Sequence, residues 1–146
     1  MFKSILVVCT GNICRSPMAE ALLASRLAHT DKRVASAGIA ALVGQPAAPL
    51  AQEVMKEHGH DISAHRGAQL NATLLAAADL VLALDDSHRR WMVENFPQFR
   101  GRVFKLGKWR ADRDVADPYQ LPREAFEQAY LDIVECLADW TPHVLA

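Results

Sequence analysis

In the stretch VVCTGNICRSP, Val7 to Pro17, two of the chain's three cysteines share one short segment with an arginine and a serine. Cys9 and Cys14 are spaced more widely than the usual metal knuckle, and Arg15 and Ser16 follow at once. A tight loop between a strand and a helix turns backbone N–H groups inward, adds the positive end of the helix dipole, and here gains the planar donor fork of Arg15. Such a cup, made of Thr10, Gly11, Asn12, Ile13, Cys14, Arg15 and Ser16, suits a tetrahedral dianion. The same surroundings favour the thiolate of Cys9 over its thiol, which places a nucleophile at the floor of the cup. Ser16 can donate its hydroxyl to that thiolate or to a leaving sulfur. Gly11 and Asn12 are both residue types that tolerate a positive φ in a tight turn.

A cysteine alone at a strand end is usually a small buried hydrophobe. What outweighs that reading is the whole string: a cysteine, five residues, an arginine and a serine, with an apolar strand before and a proline-started helix after. The phosphate loop with a lysine is absent.

A second stretch draws attention for its length. GKWRADRDVADPYQLP, Gly107 to Pro122, is charged and turn-rich, and an irregular segment of this size inside a domain is uncommon unless it carries function. Asp117-Pro118 by itself is a turn initiator. Lys108, Arg110 and Arg113 alternate with acids and read as a solvated face, while Trp91 and Trp109 fit core and rim equally well. His58 and His60, in EHGHD, read as a solvated helix end with Gly59 as its stop rather than as metal ligands. Neither a metal nor a cofactor is expected.

The elements that must position these groups are legible in the hydropathy pattern. Apolar, β-branched runs at Ser4 to Cys9, Arg33 to Ala37, Asp79 to Leu84 and Val103 to Leu106 alternate with segments of helical length. That alternation implies an α/β fold, a parallel sheet with helices on both faces. Ser16 is a candidate N-cap with Pro17 at the first helical position, and the helix should run to about Ala28. Further helices are expected at Leu50 to His58, Asn71 to Ala78 and Ser87 to Phe96, with Asn71 and Asp86 as caps. Phe126, Tyr130, Ile133, Val134, Leu137 and Trp140 form one apolar stripe of a final helix.

The 146 residues suffice for one well-cored domain, 1–146. A net charge of −1 supplies no global attraction to nucleic acid or anionic membrane, so any anion binding must be local. The N-terminal apolar run is too short for a signal peptide or a membrane span, so a cytoplasmic chain with reduced thiols is expected. A monomer or weak homodimer is the expected state.

CTGNICRSP resembles the active-site loop of the low-molecular-weight protein tyrosine phosphatases, and Asp117-Pro118-Tyr119 resembles their general-acid loop, in matching order and spacing. The similarity extends over nearly the whole chain, including Ser36-Ala37-Gly38. It implies a four-stranded parallel sheet flanked by helices, with the phosphate-binding loop between the first strand and the first helix. It implies phosphotyrosine in proteins as the substrate, Cys9 as nucleophile, Arg15 as clamp on the transition state and Asp117 as acid and then base. Asn12, Ser16 and Ser36 would hold the loop, with His65 supporting them through Asn12. The family often has a basic residue where Ala68 stands, and Arg66 is the nearest substitute. Ala41-Leu-Val-Gly44 resembles the bacterial subgroup acting on tyrosine autokinases of polysaccharide export. Its Leu42 makes an aliphatic cleft wall, leaving Tyr119 as the main aromatic contact.

Two other classes use such a cup. An arsenate reductase adds a cysteine relay later in the chain, for which only Cys136 remains, and a non-catalytic phosphotyrosine-binding module would have no use for Cys9 and Asp117. Cys14 is not required by the displacement chemistry. A thiol at that place can act as the redox partner of Cys9, trapping its sulfenic acid as a disulfide before further oxidation, or can simply fill space beneath the loop.

Overall fold

The first strand, β1 (Ser4–Cys9), is buried from Ile5 onward on both of its faces, as a central strand of a parallel sheet must be. The computed structural model describes residues 2–146. After β1 come α1 (Arg15–Arg26), β2 (Arg33–Gly38), α2 (Pro49–Glu57), α3 (Ala72–Ala77), β3 (Leu80–Ala83), α4 (Asp86–Asn95), a 3₁₀ turn (Pro97–Arg102), β4 (Val103–Lys105) and α5 (Arg123–Leu145). The sheet has four strands, all parallel, in the order β2-β1-β3-β4. The chain leaves β1 toward β2 and returns across it to β3. The carboxyl end of β1 therefore lies at the switch in strand order, where open α/β sheets bind ligands.

Alternation along the strands sorts the core into two layers. Ile5, Val7, Leu80 and Leu82 pack with Met18, Leu22 and Leu23 of α1, Val54 of α2, and Ile133, Leu137 and Trp140 of α5. Leu6, Val8, Val81 and Ala83 pack on the opposite face with Leu75 of α3 and Met92 of α4. Burying each large side chain contributes about 1.5 to 3 kcal/mol, so the long stripe of α5 is a principal clamp on the first layer. Trp91 stands at the margin of the second layer, edge-on to Phe96. Trp109 is a rim residue, stacked on His143 and edge-on to the buried Trp140.

Helix starts depart from the sequence expectation in two places. α1 begins at Arg15, after Cys14, with no side-chain cap; the Ser16 hydroxyl is engaged by Cys9 and Asn12 instead. α4 is capped by Asp85 rather than Asp86, in a reciprocal box with His88. Asn71 caps α3 as its type suggests, accepting from the Leu74 N–H. Gly59, at φ 87°, ends α2, and the neighbouring His58 ring stacks on Tyr130 of α5.

Candidate active site

The loop from Thr10 to Cys14 turns from the end of β1 into α1 and is anchored through one residue. Asn12 adopts φ 58° and is fully buried. Its amide nitrogen donates to Ser16 Oγ at 2.7 Å and to Ser36 Oγ at 2.9 Å, its side-chain oxygen accepts from the Ala68 N–H at 2.9 Å, and its carbonyl accepts from His65 Nε2 at 2.6 Å. Every hydrogen-bonding group of the side chain is satisfied, which lets a polar residue sit without exposure. Gly11 does not take the positive φ its type would allow; the left-handed turn falls on Asn12 alone. A glycine is needed at 38 for a different reason, since a Cβ there would lie 2.4 Å from the Thr10 carbonyl oxygen.

The Ser16 oxygen accepts from Asn12 and lies 2.8 Å from Cys9 Sγ, so its proton is free for the sulfur. Cys9 is 2% exposed, at the floor of a cleft lined by Thr10, Ile13, Arg15, Leu42, Asp117 and Tyr119. Ser36 in turn donates to Glu20, one turn beyond Ser16 on α1. Ala68 serves through its backbone N–H, and Arg66, the nearest basic side chain, turns away to the carbonyls of Ser63 and His65.

Arg15 is 2% exposed, and its charge is met from behind. Its Nη1 donates at 2.8 Å to Asp85 Oδ2 and at 2.8 Å to the Val115 carbonyl, while Nη2 lies 3.6 Å from Asp117 Oδ2. Burial alone would raise the Asp85 pKa, but hydrogen bonds from Ser87 and Arg15, with the charges of His88 and Arg15, hold its carboxyl down at about 2. The guanidinium fork therefore meets a fixed anion on one side and the cleft on the other.

The segment carrying Asp117 is registered to the sheet. The Val115 N–H donates to the Leu84 carbonyl just beyond β3, which places Asp117 two residues on at the mouth of the cup. There it accepts from the Tyr119 N–H in a local turn. Lys105, almost buried on β4, pairs with Asp114 at 2.6 Å. Arg110 reaches Asp139 and Glu135, and Arg113 reaches Asp132 and Glu135, all on α5. These two arginines tie the first half of the segment to α5 while staying partly exposed. Tyr119 and Leu42, at 46% and 41% exposure, stand on the rim.

Burial first, then the negative charges of Cys9 and Asp117, push the Cys14 thiol up to about 12 against the pull of Arg15. Burial likewise pushes Cys136 up to about 11. Among the described residues no group of three His, Cys, Asp or Glu is arranged to hold a metal ion.

Sequence reasoning missed Asp85, His88, Glu20 and the Val115 carbonyl. A signal for the first two exists in hindsight: Asp-x-x-His directly after a fully apolar strand has the spacing of a capping box, at the sheet edge where ligands bind. Glu20 lies four residues after Ser16 and so on the same helix face. The Val115 contact is made by backbone and has no signature in residue type.

A profile described as low molecular weight phosphotyrosine protein phosphatase matches residues 4–145. A probable low molecular weight protein-tyrosine-phosphatase of Ralstonia nicotianae, EpsP, is 47% identical over 146 residues, 100% of this chain and 99% of the relative. Among solved structures, Wzb of Vibrio vulnificus in complex with benzylphosphonate superposes with a TM-score of 0.93 at 40% identity, covering 98% of this chain and 99% of that one. The arginine phosphatase YwlE of Geobacillus stearothermophilus superposes with a TM-score of 0.92 at 35% identity, covering 97% and 92%.

Proposed function

The chain belongs to the low molecular weight phosphotyrosine protein phosphatase family, and from that premise we propose that it hydrolyses phosphotyrosine in proteins through a phosphocysteine on Cys9. The observation that carries the proposal is the convergence of Cys9, Arg15 and Asp117 on one cleft. Cys9 sulfur attacks phosphorus in line while Asp117 protonates the departing phenolate. Asp117 then takes a proton from the water that hydrolyses the S–P bond, releasing phosphate and the thiolate. Arg15 and the amides of residues 10–16 stabilise charge on the equatorial oxygens of a loose transition state. The acid must hold its proton while the sulfur does not, so the rate should fall on both sides of a mildly acidic to neutral optimum.

Overall fold does not separate this substrate from others, because a neighbour at similar TM-score is named an arginine phosphatase. The lining favours an aryl ester: Ile13, Leu42 and Tyr119 offer apolar and aromatic surface around the cup. The benzylphosphonate bound by the Vibrio protein, a tetrahedral phosphonate beside a phenyl ring, fits the same reading.

As physiological substrate we propose a tyrosine autokinase of polysaccharide export. The support is the resemblance of residues 41–44 to that bacterial subgroup and the exposed apolar Leu42 and Tyr119 at the cleft, next in sequence to exposed Val43 and near exposed Leu121, which suit a protein surface. Among the described residues no helix is long and apolar enough to cross a membrane. The first test is hydrolysis of p-nitrophenyl phosphate and a phosphotyrosine peptide by purified protein. Turnover in the wild type and none in Cys9→Ser, with phosphate or vanadate affinity kept, is the expected result; turnover in Cys9→Ser would end the covalent mechanism.

A further inference from the structure

Thr10 follows the nucleophile directly, and its side chain is exposed on the wall of the cleft. Its Oγ1 lies 2.9 Å from Nε2 of His88, a residue of 0% exposure in the first turn of α4. The direction of that bond is set on the other side of the ring. The Asp85 N–H donates to His88 Nδ1 at 3.2 Å, one half of the α4 capping box, so Nδ1 is an acceptor. Burial keeps the imidazole neutral, pushing it down to about 4 against the raising charge of Asp85. A neutral ring that accepts at Nδ1 carries its hydrogen on Nε2. His88 therefore donates to Thr10, and among the described residues the Thr10 hydroxyl proton meets no acceptor. It is left for whatever fills the cleft.

We propose that Thr10 is a substrate-contacting residue whose hydroxyl donates to an oxygen of the bound phosphate ester, and that His88 is the positioning residue that aims it. An unrestrained surface hydroxyl rotates and spends its donor on water. With one lone pair taken from the buried side, the O–H of Thr10 is directed in advance, which is the condition for a hydrogen bond to add to binding or turnover rather than merely replace one to solvent. The same α4 terminus thus holds two cup side chains, Arg15 through the Asp85 carboxylate and Thr10 through the His88 ring. The inference rests on the phosphatase reading.

The test uses kcat/KM for p-nitrophenyl phosphate in Thr10→Val, Thr10→Ser, His88→Asn and the Thr10→Val/His88→Asn double variant. Valine keeps the shape and removes the hydroxyl. Asparagine can still accept from the Asp85 N–H through its Oδ1, as His88 Nδ1 does, but is too short to reach Thr10. A hydrogen bond to a charged group predicts a loss of about 10- to 100-fold in Thr10→Val, substantial recovery in Thr10→Ser, a smaller loss in His88→Asn, and a double variant no worse than Thr10→Val. Activity of Thr10→Val within about threefold of wild type overturns the inference, as does equal loss in Thr10→Ser, which would assign the effect to packing. Additive losses in the cycle would remove His88 from the role. Should His88→Asn fail to fold, the Thr10 pair decides alone. Wild-type protein without turnover would overturn the phosphatase reading and this inference together, whereas an active wild type beside an unaffected Thr10→Val overturns only the inference.

Discussion

Arg15 spends a single nitrogen, Nη1, on both the Asp85 carboxylate and the Val115 carbonyl, 2.8 Å from each, and leaves Nη2 facing Asp117 at the cleft. A planar fork held along one edge presents the other edge in a fixed plane, which a flexible ammonium cannot do.

Asp85→Asn should keep a hydrogen bond to Nη1 but lose the charge behind the fork. We expect kcat/KM to fall ~10- to 100-fold, the scale of a small misplacement of a catalytic group. Arg15→Lys should fall further, by ~10² to 10³-fold or more, and lose vanadate affinity as well. Steady-state kinetics with vanadate inhibition measures both; an unaltered Asp85→Asn would show that burial and Val115 hold the guanidinium by themselves.

Asp117→Asn should cost ~10² to 10⁴-fold on phosphotyrosine, the range for losing a general acid. The loss should shrink on p-nitrophenyl phosphate, whose leaving group departs more readily unprotonated. Comparing the two substrates in one variant checks this. Equal losses would assign Asp117 a structural role and turn the search to Asp112 and Asp114.

Stability should report His88. The folded state holds this imidazole neutral down to about 4, from an ordinary value of 6.5, so between those values the unfolded chain binds more protons and stability falls as pH falls. The loss begins below pH ~6.5 and is complete near pH ~4, on the order of a few kcal/mol in all. Asp85, held at about 2, adds a separate loss at lower pH, from about 3.8 downward. Denaturant melts of wild type and His88→Asn from pH 7 to 4 should therefore converge, with wild type the more pH-dependent; parallel curves would contradict a buried neutral histidine.

Peroxide should reveal what Cys14 does. Its thiol, pushed up to about 12 by burial first and then by the charge of Cys9, is a poor nucleophile while that charge is present. Oxidation of Cys9 to a neutral sulfenic acid removes that charge and makes Cys14 more acidic when a resolving thiol is needed. After peroxide and then a thiol reductant, wild type should recover nearly all activity and Cys14→Ser should not. Equal recovery, or a Cys9–Cys136 pair by mass spectrometry, would leave Cys14 a space-filler.

The sequence by itself determined what lies close along the chain. β1, the turn and α1 carry their chemistry within nine residues, so residue types and spacing were enough to mark Cys9, Arg15 and the cup, and the stripe of α5 follows from its period alone. Even there the helix starts two residues earlier than the expected Pro17, because the Ser16 hydroxyl has a partner in Cys9 that outcompetes its capping role. What only the tertiary structure decided is what is joined between distant elements: Asp85 behind Arg15, seventy residues away, His88 against Thr10, and Arg110 and Arg113 paired with α5. These contacts depend on strand order and register, which place the ends of β1 and β3 side by side. A charged or polar residue in a linear sequence carries no mark of which distant partner will compensate its burial, and that compensation is what fixes its role.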